Sequence, residues 1–207
     1  MNSEPLTGPA SDVGCEETSP AEIRRRQILD AAGACFARRG FHAASMAEIA
    51  RTFGMSAGHI YNFFASKEAI IEALVERDLE AALDEIEKLR GAAEVSQAMV
   101  AGVAEGVQKT VAHSSLALEI VAEAARNPGI AATVRAMDAA VRARLKEVIG
   151  TIHPDAAGVD ERELEAKIEL MLAIFDGLTV RVVRNPEFDR EGVIREMQTM
   201  VREMFGE

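Results

Sequence analysis

The stretch from Ser45 to Lys67, S-M-A-E-I-A-R-T-F-G-M-S-A-G-H-I-Y-N-F-F-A-S-K, holds two short helix starts separated by a glycine turn, then the start of a third helix. Ser45 can accept a hydrogen bond from an orphan backbone N–H while Glu48 reaches back, so S-M-A-E reads as a capping box. Met46, Ile49, Ala50 and Phe53 give the helix that follows one apolar face. Gly54 stands where the chain must leave that helix, because a residue without Cβ takes the left-handed conformation cheaply. Ser56 is the next N-cap, and from it a helix of barely two turns is expected over residues 57 to 64, held to a small core by Ile60 and Phe64. Its other face carries Ala57, His59, Asn62 and Phe63.

A helix, a tight glycine turn and a second helix with outward polar and aromatic groups is the helix-turn-helix plan, in which the second helix enters the major groove of DNA. Positioning groups and reading groups are separable. Ser45, Tyr61 and Lys67 are expected on phosphates. His59 and Asn62 are expected at base edges, with Ala57, Gly58 and Phe63 giving close approach and apolar contact. The alternative for His59 is a local hydrogen bond at the turn. Ser66 caps a long helix, and Lys67 in its first turn opposes the helix dipole, a cost that a neighbouring DNA phosphate would remove.

The run G-M-S-A-G-H-I-Y-N-F-F-A-S-K-E-A-I resembles the signature of the TetR family of bacterial transcriptional regulators, with Tyr61, Phe64 and then Ser66-Lys67-Glu68 in the family's pattern. The resemblance runs closely from Arg24 through Leu74 and beyond that only in helix pattern. It implies a repressor released from its operator when a small, often hydrophobic molecule enters a cavity among the middle helices. It also implies that the first helix braces the reading helices and brings its leading arginines near the DNA backbone. Arg24 to Arg26 fit by charge, although a solvated basic face would look the same. Many relatives carry a longer side chain where Ala47 stands.

Charge distribution agrees with this reading. The 207-residue chain has a net charge of −11, yet residues 20 to 67 hold seven basic and three acidic side chains. The first 19 residues carry −4 and residues 68 to 207 carry −11, so a basic head sits on an acidic body that favours docking by the head alone.

At 48% apolar residues the chain can build a real core. No run approaches the roughly 18 apolar residues of a membrane span, and the first residues lack the basic-then-apolar pattern of a signal peptide, so a cytoplasmic location is expected. Residues 1–19, rich in Ser, Pro, Gly and acid, read as a disordered leader, residues 20–66 as the helix-turn-helix domain and residues 67–207 as a helical ligand-binding and dimerisation domain. Ile23, Ile28, Leu29, Ala32, Cys35 and Phe36 share a face of a first helix ending at Gly40. A helical rod runs from Lys67 to Gly91. Further helices are expected over 95–113, 115–126, 130–149, 161–184 and 188–204, giving an all-α fold of about nine helices with breaks at His113-Ser-Ser, Asn127-Pro-Gly, 150–160 and Asn185-Pro.

Leu164, Ile168, Met171, Phe175, Leu178 and Val182, and then Val193, Met197, Met200 and Met204, recur in steps of three and four. Two such stripes from each subunit would close a four-helix interface in a homodimer, and a dimer supplies two half-sites on a palindromic double-stranded operator. The alternative is that both stripes face the chain's own core. For a mainly apolar effector the candidate lining is Met99, Val103, Val107, Leu116, Ile120, Met137, Val141, Met171 and Phe175, each of which also suits plain core. His113, Arg126 or Arg135 would meet a polar end.

No enzyme or metal motif is expected. The residues three before His42, His59, His113 and His153 are Arg39, Ser56, Thr110 and Gly150, so the Glu-x-x-His pairs of di-metal bundles are missing. There is no G-x-S-x-G, phosphate loop or dinucleotide fingerprint, and no cofactor is called for. Cys15 and Cys35 lack metal or redox spacing, and Cys35 reads as a small buried hydrophobe. The rival reading is a helical small-molecule carrier or adaptor without DNA binding.

Overall fold

The computed structural model describes residues 19–151 and 160–205. Among them are eight helices and no strand: α1 (Pro20–Arg39), α2 (Met46–Phe53), α3 (Ala57–Tyr61), α4 (Lys67–Arg90), α5 (Val95–Ala124), α6 (Pro128–Ile149), α7 (Glu161–Arg184) and α8 (Arg190–Phe205). The expected leader lies outside the described residues except for Ser19, as do Cys15 and His153. Ser19 caps α1: its Oγ accepts from Glu22 N and Glu22 reaches back to its backbone, with Pro20 opening the helix.

The break expected at His113-Ser-Ser is absent, and α5 runs unbroken for 30 residues, which is why there are eight helices rather than nine. Ser114 is buried, and its hydroxyl donates to the carbonyl of Val111 inside the helix, so it has no need to leave the helix for a partner. Helix α3 is shorter than expected and ends at Tyr61, with Asn62 as its C-cap.

Packing divides the apolar residues into two clusters. One joins α1, α2 and α3 to the first turns of α4 around Ile28, Phe36, Ile49, Ile60, Ile70 and Leu74, all fully buried. Leu116 and Ile120 of α5 and Ile130 of α6 seal it, so the head's core does not stop at residue 67. Cys35 is fully buried there, its Sγ 3.2 Å from Thr52 Oγ1. The second cluster lies among α4 to α8 around Met99, Val107, Val148, Ile168, Leu178 and Val201.

Apart from Val182, the stripes on α7 and α8 belong to this second cluster. Ile168, Met171, Leu178 and Met197 are buried in it, and Leu164, Phe175, Val193, Met200 and Met204 pack against it. The apolar face that α7 turns outward is a different one, containing Leu170, Ala173, Gly177, Val180 and Val183.

Candidate functional site

Helix α2 begins at Ser45, whose Oγ accepts from Glu48 N. The other half of the expected capping box is replaced: the Glu48 carboxylate, nearly buried, pairs with Arg39 at 2.6 Å and so ties α2 to the end of α1. Helix α2 closes on Gly54, whose φ of 81° and ψ of 28° are left-handed, and its N–H is satisfied by the carbonyls of Ala50 and Arg51. Ser56 takes the N-cap position of α3 without a side-chain hydrogen bond.

Beyond this turn the sequence-predicted reading residues gather on one short segment. Gly58, His59, Tyr61 and Asn62 are exposed, and the Tyr61 phenol is 54% exposed although the ring is apolar. The His59 ring stacks on Phe63 with centroids 6.1 Å apart and planes 14° from parallel. Ala57 and Phe63 are half-buried and pack against the head core, so they support the segment from beneath as well as limiting how close it can approach a partner. Ser45 is exposed, and its hydroxyl proton is free to donate while its oxygen caps the helix. Arg24 and Arg25 from α1 lie over the rings of Phe53 and Phe64, at 5.6 and 4.5 Å from the centroids, which brings their charge beside the reading helices.

Lys67 also has partners within the chain. Its ammonium donates to the carbonyls of Phe41 and Ala44 at 2.8 Å each and of His42 at 3.4 Å, and it sits 4.6 Å from the centroid of the Phe41 ring. All three of its protons are spent on the loop between α1 and α2. These carbonyl oxygens offset the cost of a cation at a helix N-terminus.

In the body, a cavity of about 280 Å³ opens between α4, α5, α6 and α7, with Val201 of α8 also in its wall. Met99, Val103, Val141, Met171 and Phe175 line it as expected, and Gly102, Gly106, Leu89 and Leu145 complete the wall. Gly106 matters for space: a Cβ there would lie 3.0 Å from the Phe175 ring. The remaining sequence candidates lie elsewhere. Val107 is fully buried in the second cluster, Leu116 and Ile120 face the head core, and Met137 borders a separate shallow depression with Val75 and Leu79. Val107 lies between the lining residues Gly106 and Lys109 but turns into the core, whereas Leu116, Ile120 and Met137 stand a turn or more along their helices from the lining residues. Of the expected polar partners, His113 bonds the Lys109 carbonyl and Arg126 faces Glu123, so neither points into the cavity.

The polar groups of the cavity are ones the sequence reading missed. Glu85 on α4 and Glu105 on α5 both bind Lys109, at 3.1 and 2.8 Å. Hydrogen bonds from Lys88 and Lys109 hold Glu85 below the usual carboxylate range, and the bond to Glu105 holds Lys109 above the usual lysine range. A charged strap therefore ties α4 to α5 at the rim of an apolar cavity. The i, i+4 spacing of Glu105 and Lys109 was the available signal, and nothing local pointed to Glu85.

Comparison with known proteins gives two family matches. Residues 28–74 match the model of bacterial regulatory proteins of the tetR family, and residues 92–206 match that of the BetI-type transcriptional repressor C-terminal domain. The chain belongs to the TetR family. Its relatives include the HTH-type transcriptional regulator UidR of Escherichia coli (strain K12), 35% identical over 115 residues that span 56% of this chain and 59% of that protein. The HTH-type transcriptional regulator BetI of Escherichia coli (strain SMS-3-5 / SECEC) is 30% identical over 166 residues, covering 77% of this chain and 82% of that one. Among solved structures, Salmonella enterica GusR superposes with a TM-score of 0.74 at 28% identity, over 90% of this chain and 97% of its own. The Bacillus subtilis regulator FadR, in complex with stearoyl-CoA, shares the fold at a TM-score of 0.72 and 18% identity, over 88% and 98% of the two chains. No helix among the described residues is long and apolar enough to cross a membrane.

Proposed function

We propose that this TetR-family chain is a cytoplasmic, homodimeric repressor that leaves a palindromic operator when a small, mainly apolar molecule fills the body cavity. The observation that carries the reading is the exposed run His59, Tyr61 and Asn62 on a capped helix-turn-helix, within a segment, residues 20 to 67, whose net charge is positive on an otherwise acidic chain. Ser45 and Tyr61 grip phosphates, and His59 and Asn62 read base edges, with Asn62 suited to adenine. Gly58 leaves room for the backbone to approach. Lys67 acts one step back, by fixing the loop that leads into α2.

The effector reading rests on the apolar cavity and gains support from the stearoyl-CoA complex of a structural neighbour. Ligand binding would lower DNA affinity through a coupling of roughly 1 to 3 kcal/mol. Dimerisation is carried by the outward face of α7 rather than by the stripes that fill the core. Leu170 and Val183 are 53% and 59% exposed, and Ala173 and Gly177 between them allow a second α7 to come close.

Selection from random duplex DNA should return a palindrome, and Asn62→Ala should change which sequence is enriched. An unenriched pool would sink the repressor reading in favour of the carrier or adaptor. Val183→Glu should yield monomers by light scattering at micromolar concentration. A dimer that survives this change would place the interface elsewhere.

A further inference from the structure

The loop Gly40 to Ala44 joins α1 to the helix-turn-helix, and three side chains from α4 and α5 hold it. Lys67 of α4 takes its carbonyls. From α5, Glu119 Oε2 accepts the Phe41 N–H at 3.0 Å. One turn further along α5, Glu123 Oε2 stands 3.1 Å from His42 Nε2. The Glu123 side chain is only 5% exposed. Its Oε2 has no hydrogen bond, because His42 is near but out of line, and Arg126 is 3.7 Å away. Asn127 Nδ2 donates to the other oxygen at 3.5 Å. A buried carboxylate with so few hydrogen bonds is costly, and such groups persist where the surrounding geometry is needed.

The same helix builds the cavity. Met99, Gly102, Val103, Glu105, Gly106 and Lys109 of α5 line it, about three to six turns before Glu119. Because α5 has no break, the cavity and the loop are attached to one rigid element.

We propose that Glu119 and Glu123 are positioning residues for DNA recognition, which fix the angle of the reading head on the body and make α5 a second link from cavity to head beside α4. Glu119 supplies direction through a single hydrogen bond to the loop backbone. Glu123 supplies a charge that draws His42 and keeps the loop seated. The inference rests on the reading of the head as a DNA binder, but its geometric part stands without DNA.

The test uses the full chain with Glu119→Ala, Glu123→Ala and Glu119→Gln, the last of which keeps an acceptor for the Phe41 N–H. Spin labels on exposed Ala37 of α1 and Ala139 of α6, each changed to Cys in a Cys15→Ser background, report the head-to-body distance when labelled chains are diluted into unlabelled ones. Glu119→Ala and Glu123→Ala should broaden or shift that distance while helical content by circular dichroism is retained, and Glu119→Gln should not. Affinity for the duplex selected by the wild-type protein should fall about tenfold for Glu119→Ala with an unchanged salt slope, and return to within about twofold for Glu119→Gln. Unchanged distances in both alanine variants would overturn the proposal. A salt slope shallower by about one would also overturn it, since it would mark a lost phosphate contact. If the wild-type protein selects no duplex, the DNA reading fails while the distances still decide the latch.

Discussion

The two apolar clusters differ in how completely they are filled. Around the helix-turn-helix, six large side chains from four helices are fully buried and interlock, and caps at Ser19, Ser45 and Ser66 with the Arg39–Glu48 ion pair hold the starts of α1, α2 and α4 and the end of α1. In the body, Met99, Leu145 and Met171 keep 6 to 9% exposure and border open space. Methionine and glycine line that space, one adaptable in shape and the other leaving room. The head is built to present one surface, and the body to accept several shapes.

Truncation should break this comparison first if it is wrong. Ile49→Ala should cost about 3 to 4 kcal/mol in chemical denaturation, because a saturated core cannot collapse around the void, whereas Met171→Ala should cost about 2. Equal losses would mean that the body is as tightly packed as the head. A smaller effect belongs to the turn: Gly54→Ala has open space for its Cβ, but the left-handed backbone should make it destabilising by about 1 kcal/mol. Gly102→Leu tests the opposite behaviour. Nothing lies within 4 Å of a Cβ there, so the longer side chain should enter the cavity at a cost below about 1 kcal/mol, against the usual 1 to 3 for overpacking a filled core.

The smallest effect concerns Asp78 on α4, whose carboxyl is pushed above its ordinary value by desolvation, against the opposing pull of Arg77 and His113. Below the unfolded value both states are protonated and nothing is lost. As pH rises through the raised folded value, the native state must ionise a group that burial disfavours, so stability falls. Asp78→Asn should therefore stabilise slightly at pH 7, by no more than about 0.5 kcal/mol, and the gain should vanish near pH 3. Its side chain is 47% exposed, which limits the effect. Melting curves at the two pH values check the sign.

The head was legible because its signals are local. Ser45, Gly54, Ser66 and the apolar spacing of Ile49, Phe53, Ile60 and Phe64 each act within one or two turns, and the structure uses them close to where the sequence places them. The capping box at Ser19 and Glu22 was equally local and was overlooked in a segment dominated by polar composition. What sequence could not reveal depends on partners far along the chain. Lys67 looks like a free cation until the carbonyls of residues 41 to 44 come beside it, and Glu119 and Glu123 look like an ordinary solvated face. On α7 the periodicity identified an apolar stripe but not which neighbour covers it. On α5, two serines suggested an end, yet neither a proline nor a glycine was present to force one.

That missing end has a mechanical meaning. Thirty helical residues span about 45 Å, about one and a half times the width of a small domain, and a continuous helix bends little along its length. A hinge near residues 113 to 115 would absorb a small displacement beside the cavity before it travelled further. A stiff beam instead converts it: pivoting by about 3° moves its far tip by about 2 Å over that length. A displacement of that size equals most of a hydrogen-bond length and would be felt first where the tip carries its carboxylates.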